Sequence, residues 1–203
     1  MQELVKGRRM IKIRQEKEWT EILTRFETRN RYSIRDEEDR EIGKAAEEEG
    51  GLGATIARNF LGPARSCRLH VFDVAGREMG LAEKPFRFYF WELECSAGGR
   101  PIGRIRRVFH VLGRRFLIED PQGRTLFEIK SPFLHPWTFE VHAAGREVAR
   151  ISKRWSGAMK EIFTDADDFG IEILDRDAPE ELLELLLFAT FLVDFTCFEK
   201  SRR

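Results

Sequence analysis

The feature that most constrains this chain is the apolar run Leu182–Phe198, LLELLLFATFLVDFTCF. A membrane-spanning helix needs about 20 mostly apolar residues to cross a hydrocarbon layer about 30 Å thick. Here only Leu185–Val193 is free of charge. Asp194, the next residue, would cost about 3 kcal/mol at mid-bilayer. The run nevertheless reads as a helix. Asp177 is expected to cap it, Pro179 to sit in its first turn, and Glu180 to stand where a capping-box carboxylate would be. Leucine and phenylalanine occupy every side of the helical wheel. A helix that is apolar all round must be surrounded either by lipid or by protein. The short uncharged stretch and the two acids, Glu184 and Asp194, favour protein.

The rest of the chain predicts what could surround it. Period-two segments bounded by turn residues recur at Tyr32–Arg35, Glu41–Ala46, Ser66–Asp73, Arg77–Ala82, Pro85–Cys95 and Pro101–His110. They continue at Arg114–Glu119, Arg124–Ser131, Pro136–Ala143, Arg146–Trp155, Lys160–Thr164 and Asp168–Leu174. Turns such as Val74-Ala75-Gly76, Asp120-Pro121-Gln122-Gly123 and Ala143-Ala144-Gly145 join them as hairpins. An eight-stranded barrel is filled by its own side chains, whereas about twelve strands leave a hollow. The reading is therefore mainly β: a closed antiparallel barrel of about twelve strands enclosing a hydrophobic C-terminal helix over residues 178–199. A two-sheet sandwich with the helix outside is the alternative.

Residues 1–29 read as a basic segment followed by a short amphipathic helix, with the barrel spanning 30–203. In Gln15–Thr28, Trp19, Ile22, Leu23 and Phe26 fall at i, i+3, i+4 and i+7. Such a helix either packs on the barrel end or, with Lys6, Arg8, Arg9, Lys12 and Arg14 upstream, lies in a membrane interface. Lys plus Arg is 35 and Asp plus Glu is 35, so the net charge is zero. That balance argues against general nucleic-acid binding, which needs excess positive charge. Three scattered cysteines, Cys67, Cys95 and Cys197, imply no disulfide framework. No internal repeat is evident.

The strings SKRWSGAMKEIFTDADDFGIEI (Ser152–Ile173) and FATFLVDFTCFE (Phe188–Glu199) resemble the phospholipid scramblase family. Asn30–Glu49, Asn59–Met79, Lys84–Phe88 and Pro101–Ile105 extend the likeness to nearly the whole chain. The resemblance implies a Tubby-like barrel around a C-terminal helix, separately from the strand count. It implies ATP-independent, bidirectional movement of phospholipid between leaflets, possible calcium stimulation, and no covalent catalysis. The alternative is a Tubby-like barrel that binds lipid headgroups and translocates nothing. The expected location is cytoplasmic, peripherally attached to the plasma membrane, with anionic lipid as partner. The chain departs from animal members. It has no proline-rich arm, and FYFWELEC (Phe88–Cys95) replaces the palmitoylated cysteine cluster, leaving Cys95 as one candidate thiol. These departures suit a short prokaryotic member.

Two charged regions are the candidate sites. In T-D-A-D-D-F-G-I, Asp165, Asp167 and Asp168 are the candidate calcium ligands, with Gly170 as the turn glycine. Position 12 of such a loop, which wants a bidentate acid, is Arg176, so a calcium site would be weak. A solvated turn before a strand is the other reading. Arg100–Ile118 holds six arginines and no acid, whereas Glu161–Glu184 holds ten acids and one base. Arg104 and Arg106 share one strand face and Arg107 takes the other. With Lys153 and Arg154, these are the candidate lipid-phosphate residues. Pairing with acids inside the same barrel is the competing account. Cys67 with His70 has no second ligand pair for zinc, and Glu140 with His142 has no accompanying nucleophile.

Overall fold

A computed structural model describes residues 1–16, 28–48, 67–84, 92–111, 113–132, 134–135, 137–153 and 168–197. Twelve strands alternate inward and outward side chains and close into one antiparallel barrel. They are β1 Met10–Gln15, β2 Thr28–Arg35, β3 Glu41–Glu48, β4 Cys67–Asp73, β5 Glu78–Lys84 and β6 Glu92–Ala97. After them come β7 Arg100–Val108, β8 Arg114–Glu119, β9 Thr125–Ser131, β10 Thr138–Ala143, β11 Arg146–Ser152 and β12 Phe169–Ile173. Each pairs with its sequence neighbours, and β1 closes the ring by pairing with β12, Ile11 opposite Ile171 and Ile13 opposite Phe169.

A short helix α1, Gln2–Val5, precedes the barrel, and α2, Glu180–Cys197, follows it. The 18 residues of α2 make a rod about 27 Å long. Every residue from Leu183 to Phe195 is buried. They meet an inner wall of alternate residues, among them Ile34, Val71, Leu93, Ile105, Phe116, Ile129, Phe139 and Ile151. Closure removes every open edge, and the helix supplies the filling that twelve strands cannot. This is the barrel that the strand count and the helical wheel predict, and the sandwich falls.

Two expectations differ. Met10–Gln15 is a barrel strand, so the barrel begins well before Asn30. Its Ile11 and Ile13 face the core, but Lys12 and Arg14 disguise the alternation as a basic tail. Asp177 does not cap α2. The helix starts at Glu180, the Pro179 carbonyl accepts its first bonds from Leu182 and Leu183 N–H, and Asp177 N–H is turned to Asp175 Oδ1. The amphipathic segment Trp19–Phe26 and the strand expected at Lys160–Thr164 lie outside the described residues.

One hairpin design repeats at the barrel end where α2 enters. In Asp36–Arg40, Asp73–Arg77 and Asp120–Arg124, the carboxylate Oδ1 accepts two backbone N–H groups and Oδ2 accepts the arginine Nε. The residue before each arginine, Asp39, Gly76 or Gly123, has φ between 65° and 82°. Burial would raise the carboxyl groups of Asp36 and Asp120, but the bonds and charge from their arginines hold them below the usual range. So D-x-x-x-R is an internal repeat after all, too short and too spaced to register as one in the sequence.

Candidate functional site

The two barrel ends are built differently. At the α2 entry end the connections are residues 36–40, 74–77, 98–99, 120–124 and 144–145. At the far end the strand termini are bridged by residues 16–27, 49–66, 85–91, 109–113, 132–137 and 153–168, and α2 finishes there. Of the candidate site residues, Lys153 and Asp168 fall at this far end, whereas Arg104 and Arg106 bond Glu119 beside the 120–124 hairpin of the entry end, so they do not form one surface.

Arg104 and Arg106 lie on the outer face of β7, both partly exposed. Their Nε groups donate to the two oxygens of one carboxylate, Glu119 on β8, at 2.6 and 2.8 Å. The pairing register puts Arg104 opposite Glu119 and Arg106 opposite Leu117, so the glutamate bridges two positions on the neighbouring strand. Burial would raise the Glu119 carboxyl, yet the two guanidinium groups bring it below the usual carboxylate range. Glu92 on β6 stands 3.8 Å from Arg104 Nη1. Much of the positive charge here is thus answered within the barrel.

Arg107 takes the inner face, opposite the fully buried Phe116. Together with Arg114 it reaches the last turn of α2. Burial pushes the Cys197 thiol up there, against the Thr196 hydroxyl bond and the charges of Arg114 and Arg107. Helix α2 has no basic residue in its own last turn. These wall arginines supply the cations that a helix C-terminus favours.

Lys153 is a correction: it is buried, not part of a surface patch. Its ammonium lies 3.8 Å from Asp194 Oδ1 on α2 and 5.1 Å above the Phe169 ring. Tyr32 Oη donates to Asp194 Oδ2 at 2.9 Å, and its ring stands edge-on to Phe191. Beside this cluster, Gln15 Nε2 donates to Asn30 Oδ1, and Asn30 Nδ2 donates to Glu47 Oε2 at 2.6 Å. The inner wall therefore ends in a polar collar around the last turns of α2. The sequence showed Lys153 only as half of a Lys-Arg pair. Strand β11 ends at Ser152, and the next inward position falls on Lys153, directly beside the helix acid.

Arg154, Asp165 and Asp167 lie outside the described residues. Asp168 is buried, and its Oδ2 accepts from Arg14 Nε at 3.2 Å. One of its oxygens is thus already bonded to a guanidinium. Among the described residues no cluster of three metal-ligating side chains exists. Cys95 is also corrected as a candidate for acylation. It faces the core, and burial pushes its thiol well above the ordinary value. Cys67 points inward while His70, on the opposite face, meets Glu78 and Glu48, so they cannot share a metal.

The sequence reading missed the apolar tips at the far end. Phe109 is 92% exposed, Val111 84% and Leu134 82%, with Trp137 half-exposed. Strand β7 was expected to run through Phe109 to His110, which hid Phe109 as a buried position. The available signal was contrast: the opposite hairpins carry Asp, Gly and Arg, whereas these connections read FHVLG and PFLHPW.

No described helix is long and apolar enough to cross a membrane. The scramblase family model matches residues 2–200. Phospholipid scramblase 2 of Bos taurus is 33% identical over 206 residues, 94% of this chain and 68% of that protein. Phospholipid scramblase 1 of Homo sapiens is 32% identical over 207 residues, 94% of this chain and 63% of that protein. The chain thus spans about two thirds of the length of these relatives. An X-ray structure of a protein from Arabidopsis thaliana aligns with a TM-score of 0.52 at 12% identity, covering 96% of this chain and 95% of that one. At that identity the likeness shows the fold alone.

Proposed function

This chain belongs to the scramblase family, and on that premise we propose that it moves phospholipid between bilayer leaflets without ATP, acting from the membrane surface. The observation that carries the surface part is the enclosure of α2. The long apolar helix α2 is spent as barrel core, and in this reading lipid is met by the outside of the barrel. A headgroup crossing hydrocarbon loses its hydrogen bonds and charge solvation, which dominates the barrier. A protein lowers that barrier by offering partners along the way, not by covalent chemistry.

Arg104 and Arg106 are the residues we assign to phosphate. Glu119 holds both Nε groups and thereby fixes the guanidinium planes, leaving outer donors of each fork for a phosphate oxygen. Glu119 is then a positioning residue. Calcium enters this reading through Asp165, Asp167 and Asp168, the last of which also bonds Arg14.

The enclosed helix also favours a second reading, a barrel that binds headgroups peripherally and translocates nothing. Leaflet exchange on liposomes carrying the purified protein, with calcium and with chelator, separates the two. Exchange well above protein-free liposomes supports translocation. Tight vesicle binding without exchange, in both calcium arms, rejects translocation and leaves headgroup binding. A chelator that changes nothing removes calcium from the account.

A further inference from the structure

We infer that the barrel docks on membranes end-on, inserting the tips of the β7–β8 and β9–β10 connections into the bilayer interface. The inference rests on the lipid-handling reading above and names the face by which the barrel attaches to the membrane. Phe109, Val111 and Leu134 are nearly as exposed as side chains in an open chain. Large apolar residues at such exposure, grouped in space, mark an interaction site. They are grouped. Gly113, at φ +101°, lies so close to the Ser131 carbonyl that an added Cβ would come within 2.4 Å of it. Ser131 opens the β9–β10 connection, so the bases of the two tips touch across the β8–β9 pairing of Arg114 with Ser131.

The chemistry is graded as a bilayer interface is graded. Apolar side chains stand outermost, Trp137 is half-exposed, and behind them on the strands Arg115 and Lys130 share Glu128, a trio that keeps one net positive charge. Tryptophan prefers the headgroup level, and cations favour the anionic surface beneath which apolar tips dissolve. Neither connection contains an acid, whereas the opposite hairpins hold Asp36, Glu37, Glu38, Asp39, Asp73 and Asp120. These two tips are acid-free and apolar where the β2–β3 hairpin opposite is acidic, and that contrast favours the tips over that hairpin as the face toward an anionic leaflet. Two separate tips suit a fluid that flows around them better than a rigid, flat protein partner.

Vesicle co-sedimentation tests this with the full chain on neutral phosphatidylcholine vesicles and on vesicles containing phosphatidylglycerol, at 0.1 M and 1 M salt (Debye lengths about 10 and 3 Å). The unaltered protein should bind both, and retain most binding to neutral vesicles at high salt. Paired Phe109→Ser and Val111→Ser should weaken partitioning at least about tenfold on both compositions. Val74→Ser, an exposed apolar change at the opposite end, should leave it unchanged. Lipids brominated along the chain should quench Trp fluorescence in the unaltered protein more than in the paired variant. Binding that salt abolishes and the paired variant does not alter would overturn end-on insertion. So would a dimer, seen by light scattering, that the paired variant dissolves while vesicles go unbound. Leaflet exchange is read separately. Binding by the tips without exchange fails the translocation reading and leaves the docking face standing; exchange that survives the paired variant does the reverse.

Discussion

The two ends of the barrel carry the same number of strand termini but spend their residues on opposite tasks. At the end where α2 enters, the hairpins are short and three of them are locked by Asp–Arg pairs. At the end where α2 stops, the connections lengthen, the inner wall turns polar, and apolar side chains point outward. Even the two acids of the helix differ. Asp194, at the far end, receives Tyr32 and Lys153. Glu184, near the entry end, is buried with no hydrogen bond or ion pair among the described residues, and burial pushes its carboxyl up. Surface chemistry thus differs along the barrel axis, with the helix joining the two ends.

That contrast presumes that the helix is core at both ends, and Leu187→Asp is the strongest way to break it. Leu187 is fully buried at mid-helix. An unpaired carboxylate there costs several kcal/mol, enough to exceed the net stability of a typical domain when packing losses are added. The variant should not be recovered folded. A helix that instead served as a membrane anchor would make the variant more soluble and otherwise intact, and circular dichroism with gel filtration distinguishes the outcomes.

Next in size is the collar. Lys153→Met leaves Asp194 with Tyr32 but without its buried cation. Removing one partner of such a pair typically costs about 3–5 kcal/mol, whereas replacing both by apolar groups is often close to neutral. Urea unfolding of Lys153→Met, Asp194→Leu and the double variant should therefore show two large losses and a substantial recovery. Additive losses would mean that Lys153 and Asp194 stabilise independently, and the collar would not be one unit.

Much of this was legible in the sequence, and the failures are instructive. The helix wheel and the strand periodicity specified the barrel because both patterns arise from burial, which is local in sequence. Eleven of the expected segments coincide with observed strands, while β1 was hidden by Lys12 and Arg14, outward-facing residues that covered the inward pair Ile11 and Ile13. Charge was harder to read. Six arginines without an acid left a lipid-facing surface and pairing within the barrel both open, because Glu119, which bonds two of them, lies one residue beyond the counted window. Pairing across strands depends on register, and register is not written locally. Lys153 failed in the same way, because nothing nearby announces Asp194 forty-one residues on.

A smaller effect contrasts the two helix acids. The folded-state value of Glu184 is raised. Its contribution is therefore fully favourable below the unfolded value, about 4.3, and is lost as pH rises through the higher folded one. At neutral pH the ionised form is a burden on the fold. Glu184→Gln should raise Tm at pH 7 by roughly 1–3 °C and lose that advantage at pH 4. Asp194→Asn should lower Tm at pH 7, because a partnered anion is removed. Equal signs for the two variants would erase the distinction between the ends.

The smallest expected effect is on stability at the tips. Phe109 and Val111 are 92% and 84% exposed, so their apolar surface is already in water in the folded state. Changing both to serine removes almost no buried area, and surface substitutions of this kind usually fall within about 0.5 kcal/mol. Neither position carries a left-handed backbone angle, so serine introduces no strain. The melting curve should superimpose on that of the unaltered protein, even as vesicle partitioning falls. This pairing of outcomes separates a surface kept apolar for a partner from one kept apolar for the core. A loss of several degrees in Tm would show the tips folded against the barrel in solution, and they would then serve stability alongside the collar.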